Sequence, residues 1–139
     1  MKTIVIALSL SMAALMATAE TPRPAGAPQA AKVIIFRDGC LYGSMAKYKV
    51  IADGQELTRL KNKSMYTTSL APGMHTISAR EGSKRMVQLD VQDGQTYVVQ
   101  YKTRFGLFGA RPKLVVKSVD DAKRDSNYFE KNADRSVTM

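Results

Sequence analysis

The stretch RMVQLDVQDGQTYVVQYKT, residues 85–103, decides the fold. Val87, Leu89 and Val91 fall on one parity, and Met86, Gln88 and Asp90 on the other. A period of two marks a strand with one buried face and one wet face, because successive side chains of an extended chain point to opposite sides. Asp93-Gly94 then bends the chain, since glycine takes without steric cost the positive φ that tight turns need. Beyond the bend, Tyr97, Val99 and Tyr101 again share a face. Two alternating runs about an Asp-Gly turn predict β structure with a one-sided core.

The same texture extends outward in both directions. KYKVIA (residues 47–52) places Tyr48, Val50 and Ala52 together, Asp53-Gly54 predicts a tight hairpin turn, and QELTRL (residues 55–60) returns with Leu57 inward. SMYTTSL (residues 64–70) puts Tyr66, Thr68 and Leu70 on one side. Ala71-Pro72-Gly73 breaks that ladder, and MHTISA (residues 74–79) groups His75, Ile77 and Ala79. KVIIFR (residues 32–37) and KLVVK (residues 113–117) read as strands from their β-branched content. Residues 38–46 and 104–112 read as glycine-punctuated loops. Ser118, followed by Asp120 and Asp121, predicts the start of a short helix with Val119, Ala122 and Phe129 as its apolar stripe. That helix is expected to fray near Glu130, leaving residues 131–139 as a disordered tail. The expectation is an all-β fold: a small antiparallel β-sandwich of seven to eight strands over residues 32–130, with a short C-terminal helix and one wet face per sheet.

The start of the chain carries a different signal. Met1-Lys2 supplies a positive end, residues 3–16 are almost uncharged and apolar, and Ala17-Thr18-Ala19 is a small-x-small cleavage pattern. This predicts a signal peptide over residues 1–19, cleavage after Ala19, and a periplasmic or secreted product. The apolar run falls short of the roughly 20 residues that cross a bilayer, and no second run approaches that length, so the mature form is expected to have no transmembrane segment. ETPRPAGAPQAA (residues 20–31) reads as a flexible linker. Cys40 is the one cysteine. It does not follow the cleavage point, which argues against a lipid anchor, and alone it cannot form an internal disulfide. Its apolar neighbours predict a buried, inert thiol.

The formal net charge is +9, and +8 without residues 1–19. A basic surface suits anionic partners. Nucleic acid is not expected, because the chain carries an export signal and its basic residues are dispersed rather than run together. No catalytic residues are expected. His75, the one histidine, shares the inferred core parity with Ile77 and reads as a satisfied core imidazole. Asp53 and Asp93 suit turns, and Asp120 and Asp121 suit helix capping. No phosphate-cradling, metalloprotease or nucleophile-elbow motif occurs, so no cofactor is expected. One histidine and one cysteine without carboxylates at matched spacing predict no metal site.

RFGLFGARP (residues 104–112) departs from the rule that connecting segments are polar. It supplies the candidate partner-binding residues Arg104, Phe105, Leu107, Phe108 and Arg111. Two arrangements fit. The aromatics either fold back as a lid over one end of the sandwich, or form an exposed patch with flanking cations for an envelope protein, a glycan or an anionic lipid surface.

VIADGQEL (residues 50–57), APGMHTISA (residues 71–79), DGQTYVV (residues 93–99) and FGLFGARPKL (residues 105–114), in that order, resemble a group of short exported bacterial proteins. That group is catalogued as a domain of unknown function, and many of its members are lipoproteins. The first two motifs also resemble, more loosely, the PEGA-type β-sandwich surface modules. The resemblance covers roughly residues 32–124 and implies a β-sandwich and an envelope location, with no reaction. The chain departs from many of these proteins in lacking the lipobox cysteine. The expected function is a non-enzymatic interaction or accessory module of the bacterial cell envelope. The alternatives are an enzyme modifying an envelope polymer near His75, with Asp53 or Asp90, and a structural subunit assembling through an edge strand.

Overall fold

The protein, represented by a computed structural model, is described over residues 28–41 and 43–134. The expected signal peptide, most of the expected linker and residues 135–139 of the expected tail lie outside the described residues. The strands are β1 (Ala31–Arg37), β2 (Tyr48–Ala52), β3 (Gln55–Leu60), β4 (Ser64–Leu70), β5 (Gly73–Ser78), β6 (Met86–Val91), β7 (Thr96–Gly106) and β8 (Gly109–Lys117). Two helices follow, α1 (Val119–Asp125) and α2 (Asn127–Ala133). The strands form two four-stranded sheets, ordered β4-β1-β7-β8 and β3-β2-β5-β6. This is the expected small β-sandwich.

The core between the sheets uses the parities read from the sequence for β2, β5, β6 and β7, and adds residues of β1 and Leu60 of β3, with the expected Leu57 only partly buried against it. Val33 and Ile35 of β1 and Val99 and Tyr101 of β7 meet Val50 of β2, Leu60 of β3, Ile77 of β5 and Leu89 and Val91 of β6. Asp53-Gly54 forms the expected hairpin between β2 and β3. Asp53 has φ +50° and Gly54 φ +83°, the paired positive values of a turn whose twist matches its strands. Asp93-Gly94 behaves differently. It joins β6 of one sheet to β7 of the other, so it turns the chain across the sandwich rather than making a hairpin.

Four features differ from the sequence expectation. First, the sandwich is not wholly antiparallel: β1 runs parallel to β7, in register from Lys32↔Thr96 to Arg37↔Tyr101. Second, only one sheet has a wet outer face. Ile34, Phe36 and Val98 on the outside of the β1–β7 sheet are covered by Ala122, Phe129 and Ala133 of the helices. Phe129 packs on Phe36 with ring centroids 4.7 Å apart. Burial on both faces explains why KVIIFR reads as a continuous apolar run, because a strand covered on both sides has no polar parity to show. Third, the helical segment is broken. Ser126 takes an extended conformation (φ −140°, ψ 105°), which ends α1 and lets its hydroxyl cap α2 by accepting from Phe129 N at 3.1 Å. The second helix runs to Ala133, past the expected fraying point. Fourth, residues 104–112 are not a loop but the end of a β7–β8 hairpin.

Two side chains at the C-terminal end of β1 organise the surrounding structure. Arg37 is 1% exposed. Its Nη1 donates to Ala46 O at 2.8 Å, and its Nη2 to Gly43 O at 3.0 Å and to Cys40 Sγ at 3.3 Å. Its guanidinium lies 4.5 Å from the Tyr48 ring centroid, and Tyr48 stacks on Tyr101 at 5.5 Å. The loop after β1 is therefore folded around a buried cation. Cys40 is half-buried in that loop rather than enclosed, and its backbone is held by both polar atoms of the Asn62 side chain. Asp38 turns the other way. One carboxylate oxygen accepts from Gln100 Nε2 of β7 and the other from the Ser126 hydroxyl, tying β1, β7 and the helical corner together.

Candidate interaction surface

β7 and β8 outrun their sheet. The last β7 residue paired to β1 is Tyr101, yet the β7–β8 register continues through Lys102↔Lys113, Thr103↔Pro112, Arg104↔Arg111 and Phe105↔Ala110 to Gly106↔Gly109. At about 3.3 Å per residue, this two-stranded ribbon projects on the order of 15 Å past the sheet. Leu107 and Phe108 form its tip. Gly109 takes φ +107°, the left-handed conformation that closes the turn at a position where a side chain would be strained.

The tip does not fold back as a lid. Leu107 is 100% exposed and Phe108 91%, while Phe105 is 49% exposed. Of the three apolar candidates, Phe105 is the least exposed, and its ring tip sits against Gly43. A methyl group built at Gly43 would meet it at 3.0 Å. Gly43 belongs to the loop anchored by Arg37, and that loop exposes two more large apolar side chains, Leu41 and Met45, each at 94%. Sequence reasoning missed these two. The signal was available, since they too are apolar residues in a glycine-containing connection, but only the fold brings their loop beside Phe105.

Behind the tip lies a cationic groove. A hollow of about 430 Å³ between the edge strands β6 and β8 is lined by Arg85, Met86, Val87, Arg104, Arg111 and Lys113, among others. A smaller hollow of about 270 Å³ shares Arg85 and Arg111 and adds Arg80 and Lys84. Among the described residues, no acidic one lines either hollow. Several carboxylates form ion pairs elsewhere: Glu56 with Lys49 and Arg59, Asp125 with Lys117, Asp121 with Arg124, and Asp53 with His75. The structure thus brings Arg104 and Arg111 together as cross-strand partners, close to the exposed tip. The Arg111 side chain also lies along the ribbon, its Nε 3.7 Å from where a methyl group at Gly106 would sit.

His75 occupies a different place. Its Nδ1 is 2.6 Å from Asp53 Oδ2 and its Nε2 is 2.8 Å from Ala71 O. Both neighbours are acceptors, so the geometry calls for a proton on each ring nitrogen, which is the imidazolium. Asp53 Oδ1 also accepts from Thr76 N at 2.8 Å. The pair therefore clamps the β2–β3 turn onto β5. The imidazole shares the parity of Ile77 as expected but is half-buried, because it lies near the open end of its strand. Asp90 is opposite Met74, not His75. Burial pushes the Tyr101 phenol up to about 12, so it stays protonated. Among the described residues, no group of three histidine, cysteine or acidic side chains is placed to hold a metal ion.

The clamp makes a pH prediction. The hydrogen bond to Asp53, and then that to Ala71 O, raise the His75 pKa above its ordinary 6.5. Its stabilisation is complete below 6.5 and is lost as pH rises through the higher folded value. The Thr76 amide and then His75 lower the Asp53 pKa below its ordinary 3.8, so its contribution holds above 3.8 and is lost as pH falls through the lower folded value. The clamp is strongest between those two ordinary values. Going from about pH 5 to about pH 8, the wild-type melting temperature should fall relative to that of His75→Gln. Parallel pH dependences in the two proteins would show that the clamp contributes nothing.

No protein-family model matches the chain, and no curated protein gives a significant match. Among the described residues, no helix is long and apolar enough to cross a membrane.

Proposed function

We propose that the chain is a non-enzymatic, exported interaction or accessory module of the bacterial cell envelope that makes contact through the β7–β8 hairpin. The observation that carries this reading is the exposed Leu107-Phe108 tip standing in front of a groove that the described residues line with cations and no acids. Exposed apolar side chains on a projecting ribbon lower solubility, and unpaired like charges beside them weaken the ribbon, so both are costs to the isolated fold. A contact surface offsets both. The export signal in residues 1–19 and the resemblance to short exported bacterial proteins support the envelope location. The engagement of His75 with Asp53 and Ala71 supports a structural rather than catalytic role for the one histidine.

A photo-crosslinking residue in place of Phe108 tests this in living cells. It should form adducts with an envelope component, and Arg104→Gln with Arg111→Gln should remove them while leaving the melting temperature within a few degrees. If no adduct forms, or if adducts are indifferent to the two arginines, the hairpin is not the contact element.

A further inference from the structure

We infer that the partner of this surface is an anionic phospholipid bilayer, with Leu107 and Phe108 entering the acyl boundary and the ribbon cations holding lipid phosphates; this rests on the hairpin being the contact element. Three observations point to it. The first is the cross-strand pattern. Lys102 is directly opposite Lys113, and Arg104 directly opposite Arg111. Like charges facing each other across strands are destabilising. Asp125 offsets this in part at Lys102, but among the described residues no acidic side chain lines the hollows that Arg104, Arg111 and Lys113 border. Such a pattern suits a surface that meets anions.

The second is the spacing. Arg104 and Arg111 each lie three residues from the tip, roughly 10 Å behind it at about 3.3 Å per residue. Apolar elements that bind at a membrane interface sink about 5–10 Å into the headgroup and acyl boundary. With the tip inserted to that depth, the arginines are level with the phosphates. Their guanidinium groups can then donate paired hydrogen bonds to the phosphate oxygens. The third is the breadth of the apolar end. Leu41 and Met45 stand exposed on the loop that touches Phe105, which gives the inserted region a second apolar point. A soluble polyanion would use the cations but would leave the tip and these loop residues in water, and on that ground the bilayer is favoured.

Vesicle sedimentation with the purified protein tests the inference. Vesicles containing phosphatidylglycerol should retain the protein, pure phosphatidylcholine vesicles should not, and added salt should weaken retention because the phosphate contacts are screened. Leu107→Ser with Phe108→Ser should reduce binding tenfold or more, and Arg104→Gln or Arg111→Gln about fivefold each. These positions are exposed, so the variants should melt like the wild type. The chain contains no tryptophan. Phe108→Trp therefore gives a single reporter, whose emission should shift to the blue on anionic vesicles and be quenched by brominated acyl chains.

Equal binding to both vesicle types, full binding by the tip variant, or sedimentation with unshifted emission would each overturn the inference. If polyphosphate binds the wild type and the tip variant equally while vesicles bind neither, the groove serves a soluble polyanion. The bilayer is then rejected, while adducts from position 108 would still uphold the hairpin as a contact element.

Discussion

Phe129→Ala should destabilise the protein by about 3–5 kcal/mol, the cost of emptying a large buried aromatic site. In a domain of this size, that lowers the melting temperature by on the order of 15–30 °C. Phe129 is fully buried, packs on Phe36 at a tilted 43°, and joins Ala122, Ala133, Ile34 and Val98 in a cluster outside the main core. Its buried neighbours on the helices, Ala122 and Ala133, are too small to close over the space it would leave. Two helices of seven residues each cannot hold themselves in water, so their order depends on this contact. The variant should lose helical signal before it loses β signal. Proteolysis should nick it first between residues 118 and 133. A single cooperative transition with wild-type midpoint would refute the assignment of Phe129 as the anchor of the helical layer.

The second large effect is expected at Asp38. Its carboxylate accepts from Gln100 and from Ser126, both of which are buried. Hydrogen bonds to charged groups contribute about 1.5–3 kcal/mol each, so losing both in Asp38→Ala should cost about 3–6 kcal/mol. The loss is aggravated because Gln100 Oε1 already lacks a partner, and the variant would strand the rest of that amide. Asp38→Asn offers an internal check. The asparagine oxygen can still accept from Ser126, and the Gln100 amide can rotate so that its oxygen accepts from the asparagine. That variant should lose about half as much. Equal losses from the two variants would mean that the charge, not the hydrogen-bond pattern, holds the corner.

How far the sequence could be read follows from which faces are buried. β6 alternates because its outward parity is exposed, and there Leu89 and Val91 were identified by parity alone. β1 could not be oriented that way, since the helices cover its second face. Its parallel pairing with β7 was hidden for a related reason: two strands distant in sequence carry no local turn signal to announce their pairing. The outer part of the β7–β8 ribbon reads as a loop because it is rich in glycine, proline and arginine, the composition of connections. What holds it straight is continuation of a register begun inside the sheet. The candidate residues themselves were legible, since aromatics in an apparent loop stand out. Their exposure was not, because a lid and a projecting tip have the same composition.

The parallel pair also sets an order of events. β1 leaves the ribosome first, yet one of its two neighbours is β7, and the helices that cover its outer face come later still. Until those segments are made, residues 31–37 can gain only the antiparallel partner β4, with their outward apolar side chains in water. Closing so long a span before any reward is slow. A partly synthesised chain therefore has little native structure to settle into. That leaves β1 as the segment most in need of chaperone protection while the chain is being made.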